Sequence, residues 1–337
     1  MRLEWLRDLA RRDGPFATVS SGSRSRGHAD RARSALAWAG APAAVLDAVG
    51  AALAAPRPCG GDEGHVLVAD DSGVLLHAPT STPPDGPLAL WGPQPDLMAV
   101  ISAVREPLPM VVAGVDETGA GFLPPGPSAS TEDGGTVRRR AVADECVALT
   151  GARLLVLTGE PASRARLRAA LSMRARAVAV EVDQPLGTDT EALHRSVEDA
   201  TDRLRDRERV TVLDRLDDPV TRSEGRVATG LAEVTAALRA GVVDTLVVHR
   251  ALALSGSTVW AAAKEPTAVV VDHDVLARAG RDAIGPLGAA SALVRAAALC
   301  GASVVLTDDP GRAPAGGTAA LLGPPARPGQ TGAAPSA

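Results

Sequence analysis

The sequence predicts an α/β protein with several domains. Its 337 residues suggest about two or three domains. Short apolar runs typical of buried strands alternate with longer segments of helical periodicity. Apolar residues make up 45% of the chain, which is enough for several cores, whereas aromatic residues make up only 2%. The cores are therefore expected to consist of Val, Leu and Ala.

Residues 1–106 are predicted to form an N-terminal α/β domain. Leu3, Leu6 and Leu9 share one face of an opening helix, and a short strand is expected at 16–20. Further helices, a β-hairpin, a proline-rich loop and a short helix are expected in turn at 29–54, 65–77, 83–95 and 96–104.

Residues 107–186 are predicted to form a middle domain. It opens with a strand, a turn and a strand over 109–123, followed by a loop over 124–135 and a helix over 136–149. The continuous apolar run at 153–157 predicts a buried parallel strand. A helix capped by Ser163 and a strand at 177–182 complete the segment.

Residues 187–323 are predicted to form a C-terminal α/β domain, and residues 324–337 a disordered tail rich in Pro, Gly and Ala. A charged helix at 189–213 is expected to end at Asp217-Asp218-Pro219. An amphipathic helix then begins at Gly230, stops at Gly241 and leads into a buried strand at 245–248. Two further strands and a helix are expected at 268–271, 303–306 and 288–300.

Charge and cysteine usage exclude several classes of protein. The net charge is −5, so nucleic-acid binding would have to come from local arginine clusters. Cys59, Cys146 and Cys300 are scattered singly, which predicts neither a disulfide framework nor a zinc site. The N-terminal residues do not form a signal peptide, and no segment is predicted to span a membrane. We therefore expect a cytoplasmic protein with no membrane partner and no DNA partner.

Two basic segments are candidates for RNA binding. Arg138, Arg139 and Arg140 stand at the start of a predicted helix, directly after the 124–135 loop. They could contact RNA phosphates, or they could form a solvated helical turn balanced by Asp144 and Glu145 at helical spacing. Both interpretations stay open at this point. The second segment is a small basic loop with Arg24, Arg26 and His28.

The sequence predicts no catalytic residue, no metal site and no cofactor. Walker A, GxGxxG and GxSxG patterns are absent. Asp272-His273-Asp274 is interpreted as a helix cap followed by an exposed histidine. Asp116 could belong to a nuclease centre, but a two-metal site needs several carboxylates. The neighbouring strands offer only Glu181, and Glu160 lies beyond a strand end.

The passage from Gly230 to Leu246 resembles the opening of the third domain of archaeal and eukaryotic class-one peptide release factors. The matching residues are Gly230, Glu233, Val234, Ala237, Leu238, Gly241, Val243, Asp244 and Leu246. Residues 3–20 and 111–123 resemble the bacterial branch of the same family, which includes the Balon-type factors. The resemblance covers most of the chain.

This resemblance implies three α/β domains. They are a decoding-centre domain, a ribonuclease H-like middle domain and a C-terminal domain similar to kink-turn-binding proteins. It implies binding to ribosomal RNA and ribosomal proteins at the A site. In Balon-type members it implies ribosome hibernation together with elongation factor Tu.

The family's catalytic tip is not matched. True release factors carry Gly-Gly-Gln at the tip of a long middle-domain arm, whereas this chain has Gly134-Gly135-Thr136. A loop over 124–135 would reach at most about 20 Å. We therefore expect a non-catalytic ribosome-associated factor that acts in hibernation or stress. The alternatives are a peptidyl-tRNA hydrolase or tRNA nuclease of the same superfamily, and a degenerate paralogue that binds a protein partner.

Overall fold

The computed structural model describes residues 1–21, 27–55, 64–80, 88–106, 108–116, 119–123, 130–133, 136–183 and 190–323. These residues form a mixed α/β protein with two compact units. One unit combines the described residues of Met1–Glu106 and Thr211–Ala337, and the other comprises those of Pro107–Val210. Within the described part, no helix is both long enough and apolar enough to cross a membrane.

The α-helices and β-strands follow one another along the whole chain. The helices are α1 (Arg7–Arg11), α2 (His28–Trp38), α3 (Ala43–Ala54), α4 (Leu97–Ala103), α5 (Thr136–Thr150), α6 (Pro161–Ala170), α7 (Met173–Ala177), α8 (Thr190–Asp217), α9 (Pro219–Ser223), α10 (Gly230–Arg239), α11 (Ala251–Leu254), α12 (His273–Arg278) and α13 (Ala289–Cys300). The strands are β1 (Phe16–Ser21), β2 (His65–Asp70), β3 (Gly73–Pro79), β4 (Leu88–Gly92), β5 (Met110–Val115), β6 (Gly119–Leu123), β7 (Ser130–Asp133), β8 (Leu154–Gly159), β9 (Ala179–Glu181), β10 (Val227–Thr229), β11 (Val243–His249), β12 (Thr258–Ala262), β13 (Glu265–Val270), β14 (Ala283–Gly288), β15 (Ser303–Thr307) and β16 (Thr318–Leu322).

The unit of residues 107–210 is built on one five-stranded sheet with the order β7-β6-β5-β8-β9. Strand β5 pairs in parallel with β8, and β8 pairs in parallel with β9. Strand β6 is antiparallel to both β5 and β7. This order, with the second strand alone reversed, fits the ribonuclease H-like middle domain that the resemblance implies.

Both faces of this sheet are covered by helices. Val111, Ala113 and Val115 alternate along β5, and with alternate residues of β8 they pack against α5, α6 and α7. Val112 and Val156 point to the opposite face, where they pack against the first part of α8. The apolar run at 154–157 is continuous because successive side chains enter two different cores.

One glycine allows β5 and β8 to lie together at their carboxyl ends. Gly159 has φ +107°, and a Cβ atom at this position would lie 2.1 Å from the carbonyl oxygen of Val115. No larger residue fits there without moving the strands. The chain then enters α6, which Pro161 begins at its first helical position.

The N-terminal part of the other unit is an antiparallel sheet with the order β3-β2-β1-β4. One face packs against α2 and α3 through Ala17, Val19 and their neighbours on β2. The opposite face contributes Phe16, Val66 and Val68 to a larger core, which also contains residues of α1, α4 and α13. The predicted hairpin at 65–77 is confirmed, with β2 and β3 in antiparallel register.

The C-terminal part of the same unit contains two sheets, with the orders β10-β16-β11-β15 and β13-β12-β14. The predicted passage from helix to buried strand is confirmed: α10 ends before Gly241, which has φ +66°, and β11 is almost entirely buried. Leu246 and Val248 face a core shared with α10 and α13, whereas Val247 faces Leu213 and Leu216 of α8.

Buried and partly buried polar contacts connect the N-terminal and C-terminal parts of this unit. The buried Arg295 of α13 donates from Nε to the carbonyl oxygen of Ala10 at 2.8 Å and from Nη2 to that of Arg12 at 2.7 Å. The N-terminal ammonium group of Met1 donates to the carbonyl oxygen of Val304 at 2.8 Å. The two segments share one apolar core. The division into domains 1–106, 107–186 and 187–323 stays a prediction, since α8 runs through residue 210, where the two compact units divide.

Three local predictions need correction. Residues 130–133 form β7, so the predicted 124–135 loop contains a strand that pairs with β6. Residues 88–92 form β4 inside the region predicted as loop, where it pairs with β1. Helix α6 begins after Glu160 and not at Ser163, whose hydroxyl instead donates to the Glu160 carboxylate at 2.6 Å. The tail, residues 324–337, lies outside the described residues.

Candidate functional site

The predicted arginine cluster lies in the first turn of α5. The helix begins at Thr136, directly after the two residues that follow β7. The side chains of Arg138 and Arg139, together with all of Gly134 and Gly135, lie outside the described residues. Arg140 is exposed, and its Nε lies 3.4 Å from Oδ2 of Asp144, one helical turn later. The expected pairing at helical spacing is therefore present for Arg140.

Asp144 also holds the start of α7. Its Oδ1 accepts hydrogen bonds from the backbone N–H of Ser172 at 3.2 Å and from the Ser172 hydroxyl at 2.7 Å. The same hydroxyl accepts from the backbone N–H of Ala175 and so caps α7. One carboxylate thus connects Arg140 on α5 to the N-terminal end of α7.

Five further arginines lie on α6 and α7, and sequence reasoning did not select them. They are Arg164, Arg166, Arg168, Arg174 and Arg176, with no acidic residue between them. The signal was present as an excess of arginine over 161–177. Sequence alone could not separate arginines that support the fold from those that stay exposed, because the difference depends on the partners that the fold supplies.

Two of these arginines support the fold. Arg164 is buried, and it donates to the carbonyl oxygen of Val182 and to the Asp183 carboxylate. Arg168 pairs with Glu181 at 3.2 Å. Both arginines thereby fasten α6 to the chain at and after β9.

The remaining arginines are exposed and have no carboxylate partner among the described residues. Arg176 donates from Nη2 to the carbonyl oxygens of Ala169 at 2.6 Å and Leu171 at 3.1 Å, at the C-terminal end of α6. Arg166 donates to the hydroxyl of Ser163 at 2.9 Å. Arg174 is exposed and makes no hydrogen bond or ion pair with any described residue.

The carboxylates considered for a nuclease centre lie beyond the carboxyl ends of neighbouring parallel strands. Asp116 follows β5, Glu160 follows β8 and Glu181 ends β9. Glu181 is engaged by Arg168, and Glu160 accepts from Ser163. At Glu181, guanidinium groups therefore lie where a two-metal centre would need cations. Within the described ranges, no group of three or more His, Cys, Asp or Glu side chains is arranged to hold a metal ion.

The second basic segment is described only in part. Arg24 and Arg26 lie outside the described residues. His28 begins α2 and is 8% exposed, with its ring centroid 5.7 Å from that of His65. This burial leaves little of the imidazole accessible to RNA. At the other histidine considered, the prediction of a helix cap is confirmed, because Asp272 accepts from the backbone N–H of Asp274 at 2.9 Å and caps α12.

Comparison with known proteins places these residues in a family. The model of bacterial archaeo-eukaryotic release factor family 2 matches residues 128–222, which include α5, α6 and α7. Uncharacterized protein Rv2629 of Mycobacterium tuberculosis strain H37Rv is 30% identical over 96% of this chain and 96% of its own length. Uncharacterized protein MT2704 of strain CDC 1551 matches with the same values. The chain belongs to the bacterial archaeo-eukaryotic release factors.

Solved structures of other release-factor-like proteins are similar to this family member over most of its length. Archaeoglobus fulgidus Pelota is 18% identical, with 95% of this chain and 90% of that chain covered and a TM-score of 0.39. Archaeal Pelota, in a model of ribosome-bound Pelota and ABCE1, is 14% identical, with 96% and 93% covered and a TM-score of 0.41. Saccharomyces cerevisiae Dom34 is 9% identical, with 78% and 80% covered and a TM-score of 0.41.

Proposed function

We propose that this protein is a non-catalytic factor that binds the ribosome at the A site and acts in hibernation or stress. Membership of the release-factor family supports the ribosome as the binding partner. The resemblance to Balon-type factors supports a hibernation role and, as a further proposed partner, elongation factor Tu. The observation that carries the non-catalytic part of the proposal is the connection between β7 and α5.

That connection leaves little room for a catalytic arm. Strand β7 ends at Asp133 and helix α5 begins at Thr136, so only two residues join them. Strand β7 also pairs with β6 from Gly119↔Asp133 to Phe122↔Ser130. Six residues, 124–129, separate these antiparallel strands, and a chain of that length can reach at most about 10 Å beyond the strand ends and return. An arm of this size supports binding near the domain surface and not delivery of a group to a distant reaction centre.

The chemistry of the tip supports the same conclusion. In release factors the tip glutamine helps to position the water that attacks the peptidyl ester. Here Thr136 occupies the corresponding place and is the first residue of a helix. Even a glutamine at residue 136 would therefore be held at the base of the hairpin.

Two measurements test the proposal. The full chain should co-sediment with 70S ribosomes from starved cells, and the bound fraction should fall between a low and a high salt concentration. In a release assay on ribosomes carrying peptidyl-tRNA, the wild type should liberate no peptide. The Thr136→Gln variant, which restores the Gly-Gly-Gln sequence, should also liberate none.

Several outcomes would contradict it. If the wild type hydrolyses peptidyl-tRNA and changes at residues 134–136 abolish this, the protein is an enzyme. Peptide release by Thr136→Gln would mean that the short hairpin does reach the reaction centre. Failure to sediment with ribosomes at low salt would favour a paralogue that binds a protein partner instead.

A further inference from the structure

Positive charge is concentrated in one segment of an otherwise acidic chain. Residues 136–177, which span α5 to α7, contain nine arginines and three acidic residues, and therefore carry a formal charge of +6. Since the whole chain carries −5, the remaining residues carry −11. The overall charge thus conceals a local region that attracts polyanions.

Arginines at two places in this region keep their charge accessible. The carbonyl groups that hold Arg176 are neutral, so they fix the guanidinium without compensating its charge. Arg174 is exposed and has no partner among the described residues. By contrast, Arg164 and Arg168 are compensated by Asp183 and Glu181.

Asp144 brings Arg140 into the same surface. One oxygen of its carboxylate faces the guanidinium of Arg140, and the other accepts from Ser172, two residues before Arg174. This pair is exposed, so water and salt weaken it, and a phosphate can compete for Arg140. Arg140, Arg174 and Arg176 together are called here the α5–α7 arginine surface.

We propose that the α5–α7 arginine surface binds the phosphate backbone of RNA. The inference rests on the proposed function and specifies which part of the protein contacts ribosomal RNA. Guanidinium groups match phosphate oxygens in a two-point geometry, and a partly ordered one such as Arg176 loses less freedom on binding. Met173, whose surface is 88% exposed beside Arg174, offers an apolar contact for a ribose or base. The proposed ribosome association, and not the charges alone, favours RNA over an acidic protein as the partner.

The test compares two double variants of the full chain that remove the same charge. Arg140→Gln with Arg174→Gln changes the proposed surface. Arg195→Gln with Arg203→Gln changes exposed arginines on α8, which packs on the opposite face of the same sheet. Binding is measured to 70S ribosomes and to an RNA hairpin of about 16 base pairs over a range of KCl concentrations.

The proposed surface predicts a specific change in salt dependence. For the RNA hairpin, the slope of log K against log[KCl] should flatten by roughly 1.4–1.8 in the variant with Arg140→Gln and Arg174→Gln, since each lost phosphate contact removes about 0.7–0.9. The α8 double variant should keep the wild-type slope. Arg174→Lys, which keeps the charge but not the two-point geometry, should restore the salt-dependence slope that Arg174→Gln flattens, because the slope depends on the number of neutralised phosphates. The lysine variant also controls for misfolding. Arg174→Lys and Arg174→Gln both remove the arginine side chain, so a difference between them reports on charge and not on folding.

Each result separates this inference from the proposed function. Ribosome binding that is equal in both double variants would overturn the arginine surface and leave the proposed function standing. Arginine-dependent binding to the hairpin without binding to ribosomes would support the surface and remove the proposed function. Equal slopes on the hairpin would overturn the surface. Competition by polyglutamate as strong as by RNA of equal charge would overturn RNA as the partner in favour of an acidic protein.

Discussion

Replacement of Asp144 by alanine should destabilise the unit of residues 107–210 mainly through Ser172 and not through Arg140. The Asp144 side chain is 24% exposed and accepts two hydrogen bonds from Ser172. Because water can replace part of a half-buried bond, each should contribute about 1.5 kcal/mol, the lower end for a charged acceptor. The total loss in the free energy of unfolding should therefore be about 3 kcal/mol. The exposed pair with Arg140 should contribute only about 0.3–0.5 kcal/mol.

Double-mutant cycles measure the two contributions separately. The coupling between Asp144→Ala and Ser172→Ala should be about 1–1.5 kcal/mol, because Ser172→Ala removes the hydroxyl bond and keeps the backbone one. The coupling between Asp144→Ala and Arg140→Ala should stay below about 0.5 kcal/mol. A coupling to Arg140 that equals or exceeds the coupling to Ser172 would refute the assignment of Asp144 as the residue that holds α7.

The chain provides its own spectroscopic control for this experiment. All four tryptophans, Trp5, Trp38, Trp91 and Trp260, belong to the unit formed by the N-terminal and C-terminal segments. Tryptophan fluorescence therefore reports on that unit, whereas hydrogen exchange in peptides from residues 136–183 reports on the other. Asp144→Ala should accelerate exchange in α7 first, since its N-cap loses its support. The tryptophan emission of the native protein should not change.

Three further predictions concern stability. Arg295→Met should lower the stability of the tryptophan-containing unit by about 2–4 kcal/mol, because two carbonyl groups at the end of α1 lose a buried donor. Urea denaturation with fluorescence detection measures this loss. A loss below about 0.5 kcal/mol would show that water replaces the guanidinium. Gly159→Ala should lower the free energy of unfolding of its unit by more than about 3 kcal/mol, because the alanine Cβ would lie 2.1 Å from the Val115 carbonyl oxygen. Hydrogen exchange in β8 measures this loss, and exchange at the wild-type rate would contradict the prediction. Burial raises the pKa of Asp70, but hydrogen bonds from its neighbours outweigh that effect and hold the pKa below its ordinary value. The ionised Asp70 therefore stabilises the folded protein fully above about pH 4–5, and this contribution is lost as the pH falls through the folded-state pKa. Asp70→Asn should therefore lose less stability than the wild type between about pH 5 and pH 3, and an equal loss would contradict the argument.

Sequence reasoning predicted the elements whose pattern is local. The helix that ends at Gly241, the buried strand after it and the hairpin of β2 and β3 each follow from periodicity and turn chemistry within a few residues. Strands β4 and β7 were missed because polar, proline-rich or glycine-rich sequence surrounds them. They exist because β1 and β6 offer unpaired edges on which to add a strand. Such pairing depends on tertiary structure, which a local pattern does not contain.

The features of the candidate site also fall into those that local sequence predicts and those that depend on tertiary structure. The position of Arg140 at the start of a helix and its pairing with Asp144 could be predicted from helical spacing alone. The different roles of Arg164 and Arg174 could not be predicted from the sequence, because both residues lie in the same arginine-rich segment. Only the fold brings Asp183 and the Val182 carbonyl to Arg164, whereas nothing described compensates Arg174. Composition therefore locates the basic segment, and partners supplied by distant parts of the chain decide which of its arginines are accessible.

The position of these arginines relative to the connection between β7 and α5 bears on how RNA binding could be separated from catalysis in this unit. The connection at residues 134–135 joins β7 to α5, and α5 shares a core with α6 and α7 on one face of the sheet. A shorter connection between β6 and α5 would not remove any residue of this helical layer. A protein that lost the tip would still present the same arginines on a rigid support. If the α5–α7 arginine surface binds RNA, then RNA binding and hydrolysis depend on different parts of one unit. Hydrolysis could then be lost while RNA binding is kept.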